Sequence, residues 1–187
     1  MPTYYEGNTI AEIKAQQISS EDFVQGCIFY KKTAGNLKMT YWYAVLFAAL
    51  AVTAGYIAIN EITLYGIITK WLICAAFAFA AVYFAVIRVN KAKKEAESIY
   101  KNSKLLVSPV SFRIYRDSFF TENEYEIFNG YWTDMLAGFE NKERIILVSE
   151  WIPRPIIITK TADNREQTDA ISRHLQNTMV SKYKVRI

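Results

Sequence analysis

A nearly unbroken apolar stretch runs from Tyr41 to Ile87, and charged side chains interrupt it only at Glu61 and Lys70. Its first run, Tyr41–Ile59, would extend ~28 Å as a helix at ~1.5 Å per residue, close to the ~30 Å hydrocarbon core of a bilayer. This run contains no charge and begins with three aromatic residues, which settle at the level of lipid headgroups. It therefore predicts a transmembrane helix.

A second apolar run, Trp71–Ile87, predicts a second span that returns across the bilayer. This run is near the lower length limit for a span, so we expect its helix to begin earlier, between Leu64 and Ile67. Lys70 would then lie about one turn inside, where its aliphatic stem can carry the ammonium group out to the interface. A soluble pair of core helices is the competing interpretation, but such helices usually keep one polar face.

Basic residues flank both outer ends of the predicted hairpin. They are Lys31, Lys32 and Lys38 before it, and Arg88, Lys91, Lys93, Lys94, Lys101 and Lys104 after it. Because cytoplasmic flanks are rich in Lys and Arg, both termini are expected in the cytoplasm. These flanks account for the formal net charge of +4, so we expect no nucleic-acid binding.

Each predicted span carries a stripe of small side chains, spaced alternately four and three residues apart. The first stripe is Ala44, Ala48, Ala51, Gly55 and Ala58, and the second is Cys74, Ala78, Ala81 and Ala85. Small side chains let helix backbones approach closely in lipid. The stripes are expected to face each other, and the alternative is a face for homo-oligomerisation.

The sequence divides into six segments along the chain. They are a cytoplasmic segment 1–38 with an amphipathic helix over 20–33, a span over 39–60, a loop over 61–65, a span over 66–88, a helical stalk over 89–102 and a domain over 103–187. Ser19 or Ser20 with the acidic residues that follow begins the first helix. Residues 1–17 either form a strand or stay mobile.

The segment from 103 onward predicts a small α+β domain of antiparallel strands closed by one helix. Strands are expected near 104–108, 111–116, 118–121, 124–128, 131–139, 144–149 and 155–160. Asn129 and Gly130 indicate a tight hairpin between two of them. Asp163, with Glu166 three residues on, is expected to open a helix whose apolar stripe contains Ile171 and Leu175.

Four short segments resemble the YcxB-like family of membrane proteins: Ser19–Phe23, Tyr131–Met135, Ile145–Leu147 and Ile156–Lys160. The resemblance implies that two transmembrane helices carry a cytoplasmic domain with a pleckstrin-homology-type β-barrel or sheet, capped by a C-terminal helix. The family implies a membrane-anchored domain of unassigned function.

Four side chains in the C-terminal domain are candidates for contact with lipid headgroups or a protein partner: Arg113, Arg116, Trp151 and Arg154. The two strand arginines could hold phosphate, and the alternative is a solvated or salt-bridged pair. The loop that contains Trp151 and Arg154 could equally be a rigid turn. Trp132 is interpreted as a core aromatic residue.

No catalytic motif accompanies these features, so we expect no enzymatic activity, no cofactor and no metal site. The lone histidine, His174, is expected on the surface of the last helix. The leading hypothesis is a membrane-anchored interaction module at the cytoplasmic surface of a bacterial inner membrane that binds a protein partner or anionic lipid headgroups. The alternatives are an immunity protein against a membrane-targeting toxin and a pore formed by oligomerised hairpins around Lys70 and Glu61.

Overall fold

The computed structural model describes residues 9–149 and 154–185, and it contains both helices and β-sheets. Its helices are α1 (Ser20–Thr33), α2 (Thr40–Ile59), α3 (Leu64–Val82), α4 (Arg88–Asn102), α5 (Lys104–Val107) and α6 (Arg165–Met179). Its strands are β1 (Ala11–Gln16), β2 (Val110–Ile114), β3 (Ser118–Glu122), β4 (Ile127–Tyr131), β5 (Met135–Glu140), β6 (Arg144–Ser149), β7 (Ile156–Thr159) and β8 (Tyr183–Val185). The predicted α+β class is confirmed.

The described chain forms two units. The helix unit runs from Ile28 to Glu95 and contains α2 and α3. The sheet unit contains the described residues up to Cys27 and those from Ala96 onward. Strand β1 belongs to this second unit, so the predicted boundary at residue 103 leaves out part of the domain. Residues that precede the apolar hairpin in the chain complete a sheet with residues that follow it.

The helix unit contains two helices that are long and apolar enough to cross a membrane. Helix α3 begins at Leu64, within the predicted range. A π-helical turn at Tyr83–Ile87 joins α3 to α4, so one continuous helix runs from Leu64 to Asn102. Little of α2 and none of the most apolar part of the longer helix is buried within the protein.

The sheet unit is built from two four-stranded sheets. The first has the order β1–β2–β3–β4 and is antiparallel throughout. In the second, of order β7–β6–β5–β8, the first three strands are antiparallel and β8 runs parallel to β5. The prediction for residues 1–17 was left open between a strand and a mobile segment; its part from Ala11 to Gln16 forms strand β1, and residues 1–8 lie outside the described residues.

The core of the sheet unit lies between the sheets and helix α6. Alternating residues of β2 point inward, and Phe112 and Ile114 are buried there. Ile171 and Leu175 of α6 are fully buried in the same core, as the helical spacing predicts. Trp132 is 3% exposed, and its Nε1 donates to the Tyr115 carbonyl at 3.1 Å, which confirms its core position.

Three local predictions are wrong. Residues 104–108 form the one-turn helix α5 rather than a strand, because an apolar run this short has no periodicity to distinguish the two. Helix α6 begins after Asn164, not at Asp163. The Asn164 side chain instead ties the preceding loop, accepting from Thr161 N at 2.8 Å and donating to the Thr159 carbonyl at 2.9 Å.

The third error is the hairpin at Asn129 and Gly130, which lie inside strand β4 and pair with Phe120 and Phe119. No glycine in the described chain has a positive φ. Instead the chain turns at Asn123, whose Oδ1 accepts from the backbone N–H groups of Tyr125 and Glu126 at 2.8 and 2.7 Å. Glu124 and Glu126 therefore lie in a turn and not on one face of a strand.

Glycine at position 130 is required for space. A Cβ atom there would lie 2.5 Å from the Phe119 ring. We expect Gly130→Ala to lower the free energy of unfolding by about 1–3 kcal/mol because the ring must move within a packed core. Asn129→Ala, at the exposed neighbouring position, should change it by less than about 0.5 kcal/mol. Denaturant unfolding of the full chain in detergent measures both, and equal effects would contradict the steric explanation.

Candidate functional site

A cleft opens between the two sheets of the sheet unit. Its apolar floor comes from Val110, Phe112, Phe128, Ile156 and Ile157 of the strands, together with Ile18 and with Leu105 and Leu106 of α5. We call this site the inter-sheet cleft. Its cavity is about 60 Å³, whereas sites for metabolites and cofactors measure roughly 300–1,000 Å³. The cleft is thus of a size to accept one side chain of another molecule.

The mouth of the inter-sheet cleft is polar. Arg154 Nη2 donates to Glu126 Oε2 at 2.7 Å. Glu122 Oε2 lies 3.5 Å from Arg113 Nη2. Asn123 Nδ2 donates to the Leu105 carbonyl at 3.2 Å and so holds α5 beside the β3–β4 turn. The charges at the mouth are therefore neutralised within the protein.

Of the predicted contact residues that the structure describes, only Arg154 lines this cleft. Arg113 lies on β2, where its Nε is 3.2 Å from Glu12 Oε1 and its guanidinium carbon is 5.4 Å from the centre of the Phe120 ring. The hydrogen bond with Glu12 raises the pKa of Arg113. Arg116 is exposed beyond the end of β2, and Trp151 lies outside the described residues. The structure does not bring the strand arginines together into a phosphate site.

The sequence did not single out most of the cleft residues. Leu105 and Phe128 are apolar residues like many others in the chain, and they meet only because α5 packs beside the end of the first sheet. The apolar run 104–108 was the sequence feature that could have indicated α5. Because it was interpreted as a strand, its contribution to the cleft was not predicted. Glu126, the partner of Arg154, was not among the predicted contact residues.

In the helix unit the predicted small-residue stripes meet over part of their length. Cys74 Sγ donates to the Ala51 carbonyl at 3.2 Å, and a Cβ on Gly55 would lie 3.6 Å from the same sulfur. Ala44 and Ala58 are buried and Ala81 is partly buried, whereas Ala48, Ala78 and Ala85 are exposed.

Aromatic rings replace the small-residue stripe near one end of this contact. The Phe47 ring stacks on Phe84 at 5.6 Å between centroids and lies 6.2 Å from Phe77. The contact is therefore not the continuous small-residue seam that was expected.

The two charges that interrupt the apolar stretch pair with each other. Lys70 donates to Glu61, and Glu61 Oε1 also accepts from Thr63 Oγ1 at 3.1 Å. Hydrogen bonds from Lys70 and then from Thr63 lower the pKa of the Glu61 carboxyl to about 2. Thr63 Oγ1 in turn accepts from Gly66 N at 3.2 Å and caps α3. The pair thus belongs to the turn that starts the second long helix.

A buried polar cluster joins one end of the second sheet to α6. Glu140 is 6% exposed and accepts hydrogen bonds from Lys160, from Ser172 Oγ at 2.6 Å and from the Tyr183 hydroxyl at 2.8 Å. Burial raises the pKa of Glu140, but these three donors outweigh it and the pKa lies below its usual range. Burial and the carboxylate both raise the pKa of Tyr183.

The Glu140 cluster combines residue types that enzymes use, but its arrangement is that of a structural clamp. Each donor is committed to one carboxylate, and the Ser172 hydroxyl additionally accepts from Gln176 Nε2 at 3.1 Å. It ties together β5, the end of β7, α6 and β8. Within the described ranges no group of three or more His, Cys, Asp or Glu side chains could hold a metal ion.

His174 lies at the edge of the core rather than on the surface. It is half-buried, and its ring meets Trp132 edge-on with centroids 5.8 Å apart. Burial lowers the pKa of His174. The prediction of a surface position was therefore wrong, because the helix side that carries His174 faces the Trp132 ring.

Comparison of the chain with protein-family models, with curated proteins and with solved structures finds no match. The functional argument accordingly depends on the geometry of the chain itself.

Glu140→Gln should lower the free energy of unfolding at pH 7 by about 3 kcal/mol, because it leaves the Lys160 ammonium partly buried without its counter-ion. The control is Glu143→Gln, whose side chain is 66% exposed and pairs with Arg144, with an expected cost below about 1 kcal/mol.

The Glu140 pKa is lower in the folded chain, so its contribution is full above the ordinary value of 4.5 and is lost as the pH falls below it. The gap between the native chain and Glu140→Gln should therefore shrink between pH 7 and pH 3, as followed by denaturant unfolding. A gap of constant size would contradict the assignment.

Proposed function

We propose that the protein is a membrane-anchored interaction module. Helices α2 and α3 span the bilayer as a hairpin, and the sheet unit lies on the cytoplasmic side and binds a segment of a partner protein in the inter-sheet cleft. The observation that carries the proposal is the cleft itself, with its apolar floor, ion-paired mouth and side-chain-sized cavity.

The membrane assignment is supported by length, composition and exposure. A soluble core helix would be mostly buried, whereas α2 and α3 leave nearly all their apolar side chains uncovered. The exposed Tyr41 and Trp42 rings lie at the start of α2, where aromatic residues meet lipid headgroups. The basic flanks before α2 and along α4 support a cytoplasmic location for both termini.

The strand order supports a pleckstrin-homology-type domain and with it the resemblance to the YcxB-like family. An antiparallel meander of four strands is followed by three further antiparallel strands and then by helix α6. Since a fold does not by itself imply a function, the binding role is argued from the inter-sheet cleft. The apolar hairpin occupies the connection between β1 and β2.

A polypeptide fits the cleft better than a lipid headgroup does. Anionic headgroups need unpaired cations, and Arg113 and Arg154 are both engaged by carboxylates of the protein. An apolar floor surrounded by polar groups is instead the arrangement that takes an anchoring side chain of a partner. The Lys70–Glu61 pair also neutralises the charges that had suggested a pore.

Photo-crosslinking at the cleft tests the partner. A photoreactive residue in place of Leu105, which lines the cleft, should give a discrete protein adduct in native membranes. The matched control is the same photoreactive residue in place of Val107, which is exposed on the same helix. It should give no discrete adduct.

Leu105→Glu should then reduce copurification of that protein with the full chain at least tenfold, and Val107→Glu should not. A lipid-sized adduct, or equal adducts at both positions, would overturn the proposal. If the crosslinked protein is a membrane-targeting toxin, the interaction module is an immunity protein.

Cysteine labelling tests the topology. In a chain with its two native cysteines replaced by alanine, Ile62→Cys lies in the α2–α3 loop and Lys93→Cys lies on α4. A membrane-impermeant maleimide added to intact cells should label the first only, and should label both after permeabilisation. Retention in the membrane after alkaline carbonate washing should accompany this pattern, and release into the supernatant would contradict the spans.

A further inference from the structure

The helix unit contains a second cavity, near the start of α2. Its apolar lining is Leu37, Tyr41, Ala44, Phe84, Ala85 and Val89. Its polar lining is Lys32, Lys38 and Thr40. We call this site the interfacial groove. It measures about 370 Å³, within the roughly 300–1,000 Å³ of sites that hold small molecules.

The polar end of the interfacial groove carries uncompensated positive charge. Lys32 and Lys38 are both exposed, and the described carboxylates form no ion pair with either of them. Two neighbouring cations already have partners within the protein, because Lys31 pairs with Glu95 and Arg88 donates to the Asn36 carbonyl. The two lysines that line the groove are thus available to an anion.

Thr40 adds an unsatisfied polar group. It is 4% exposed, and its hydroxyl has no hydrogen-bond partner among the described residues. A buried hydroxyl without a partner destabilises a fold, so the presence of this one calls for an explanation. Rotation about χ1 exchanges the threonine hydroxyl and methyl, so Thr40 can donate to a ligand in the groove that it lines.

The start of α2 completes the anion site. Met39 at the N-cap makes no side-chain cap, and the first turn contains no acidic residue. Thr40 N donates to the Leu37 carbonyl at 3.1 Å, and no acidic side chain of the first turn offsets the positive end of the helix dipole, which favours a phosphate nearby.

The apolar end of the groove is shaped by the π-helical turn. Arg88 N donates to the Tyr83 carbonyl, so the backbone is widened between α3 and α4. Phe84 and Ala85 of this turn line the groove opposite Tyr41 and Ala44. Such π-helical turns occur frequently at functional sites.

We propose that the interfacial groove binds one anionic phospholipid. Its phosphate lies between Lys32 and Lys38 and accepts from the Thr40 hydroxyl, and an acyl chain follows Tyr41, Ala44 and Phe84. This inference rests on the proposed membrane location of α2 and α3, which places the groove at the headgroup level. A free phosphate would leave the apolar half of the groove unfilled, so the lipid is the source that fits both ends.

Native mass spectrometry of the full chain in detergent tests the site, with phosphatidylglycerol and phosphatidylcholine of equal chain length as probes. Phosphatidylglycerol should be retained preferentially. Lys32→Gln with Lys38→Gln should weaken its binding about thirtyfold, at about fivefold per lysine near an anionic phosphate. The control is Lys93→Gln with Lys94→Gln, two exposed lysines that remove the same charge outside the groove.

Two further variants separate shape from charge. Ala85→Leu fills the groove at an exposed position and should reduce phosphatidylglycerol retention, whereas Ala78→Leu, exposed outside the groove, should not.

Thr40→Val removes the unsatisfied hydroxyl, so it should raise the melting temperature in lipid-free detergent. With phosphatidylglycerol added, the native chain should gain more in melting temperature than Thr40→Val does.

The outcomes distinguish this inference from the proposed function. Equal retention of both lipids, equal losses in the groove and control variants, or equal binding of glycerol phosphate without acyl chains would each overturn the lipid site. Retention in membranes after carbonate washing is measured on the same variants. A chain that stays in the membrane but shows no lipid preference refutes the groove alone, and a chain that is washed out refutes the membrane anchor.

Discussion

The pairing of β1 with β2 is the contact on which the sheet unit depends. These strands lie on opposite sides of the hairpin in the chain, and their register joins Ala11 to Ile114 and Gln16 to Val110. Glu12 and Arg113, direct neighbours across the pair, add a hydrogen-bonded ion pair. The entropic cost of closing so long a connection grows only with the logarithm of its length, so a short strand pair with a buried face can hold it.

This closure anchors the domain by both ends of the hairpin rather than by one. Gln16 Nε2 also donates to the Thr159 carbonyl at 2.6 Å, so the last residue of β1 bridges to the second sheet. An isolated fragment that begins at residue 103 lacks that edge strand, and the full chain is the natural object for binding studies. The sheet unit is thus joined covalently to both ends of the helix hairpin, through β1 and through β2.

Charge is used differently in the two units. In the sheet unit the side chains of Glu140, Arg113 and Arg154 are neutralised internally, which leaves shape and apolar surface for recognition. In the helix unit Lys70 and Glu61 cancel each other, while Lys32 and Lys38 stay available. The proposed protein site and the proposed lipid site accordingly lie on separate surfaces with different chemistry.

Local pattern was enough to predict the two apolar helices, the cap of α1 at Ser19, the apolar face of α6 and the core position of Trp132, because each depends on residues within a few positions. The same reasoning failed for Gly130, whose need for glycine comes from the Phe119 ring on the next strand. It failed for the 104–108 run, which is too short to show a period. It could not join Leu105 with Phe128 or Lys32 with Phe84, since these pairs are made by packing between distant segments. The sequence by itself determined where the chain is apolar and where apolar and polar residues alternate. The tertiary structure alone decided that β1 closes the sheet and which charges are paired within the protein, because strand pairing and ion pairing depend on positions far apart in the chain.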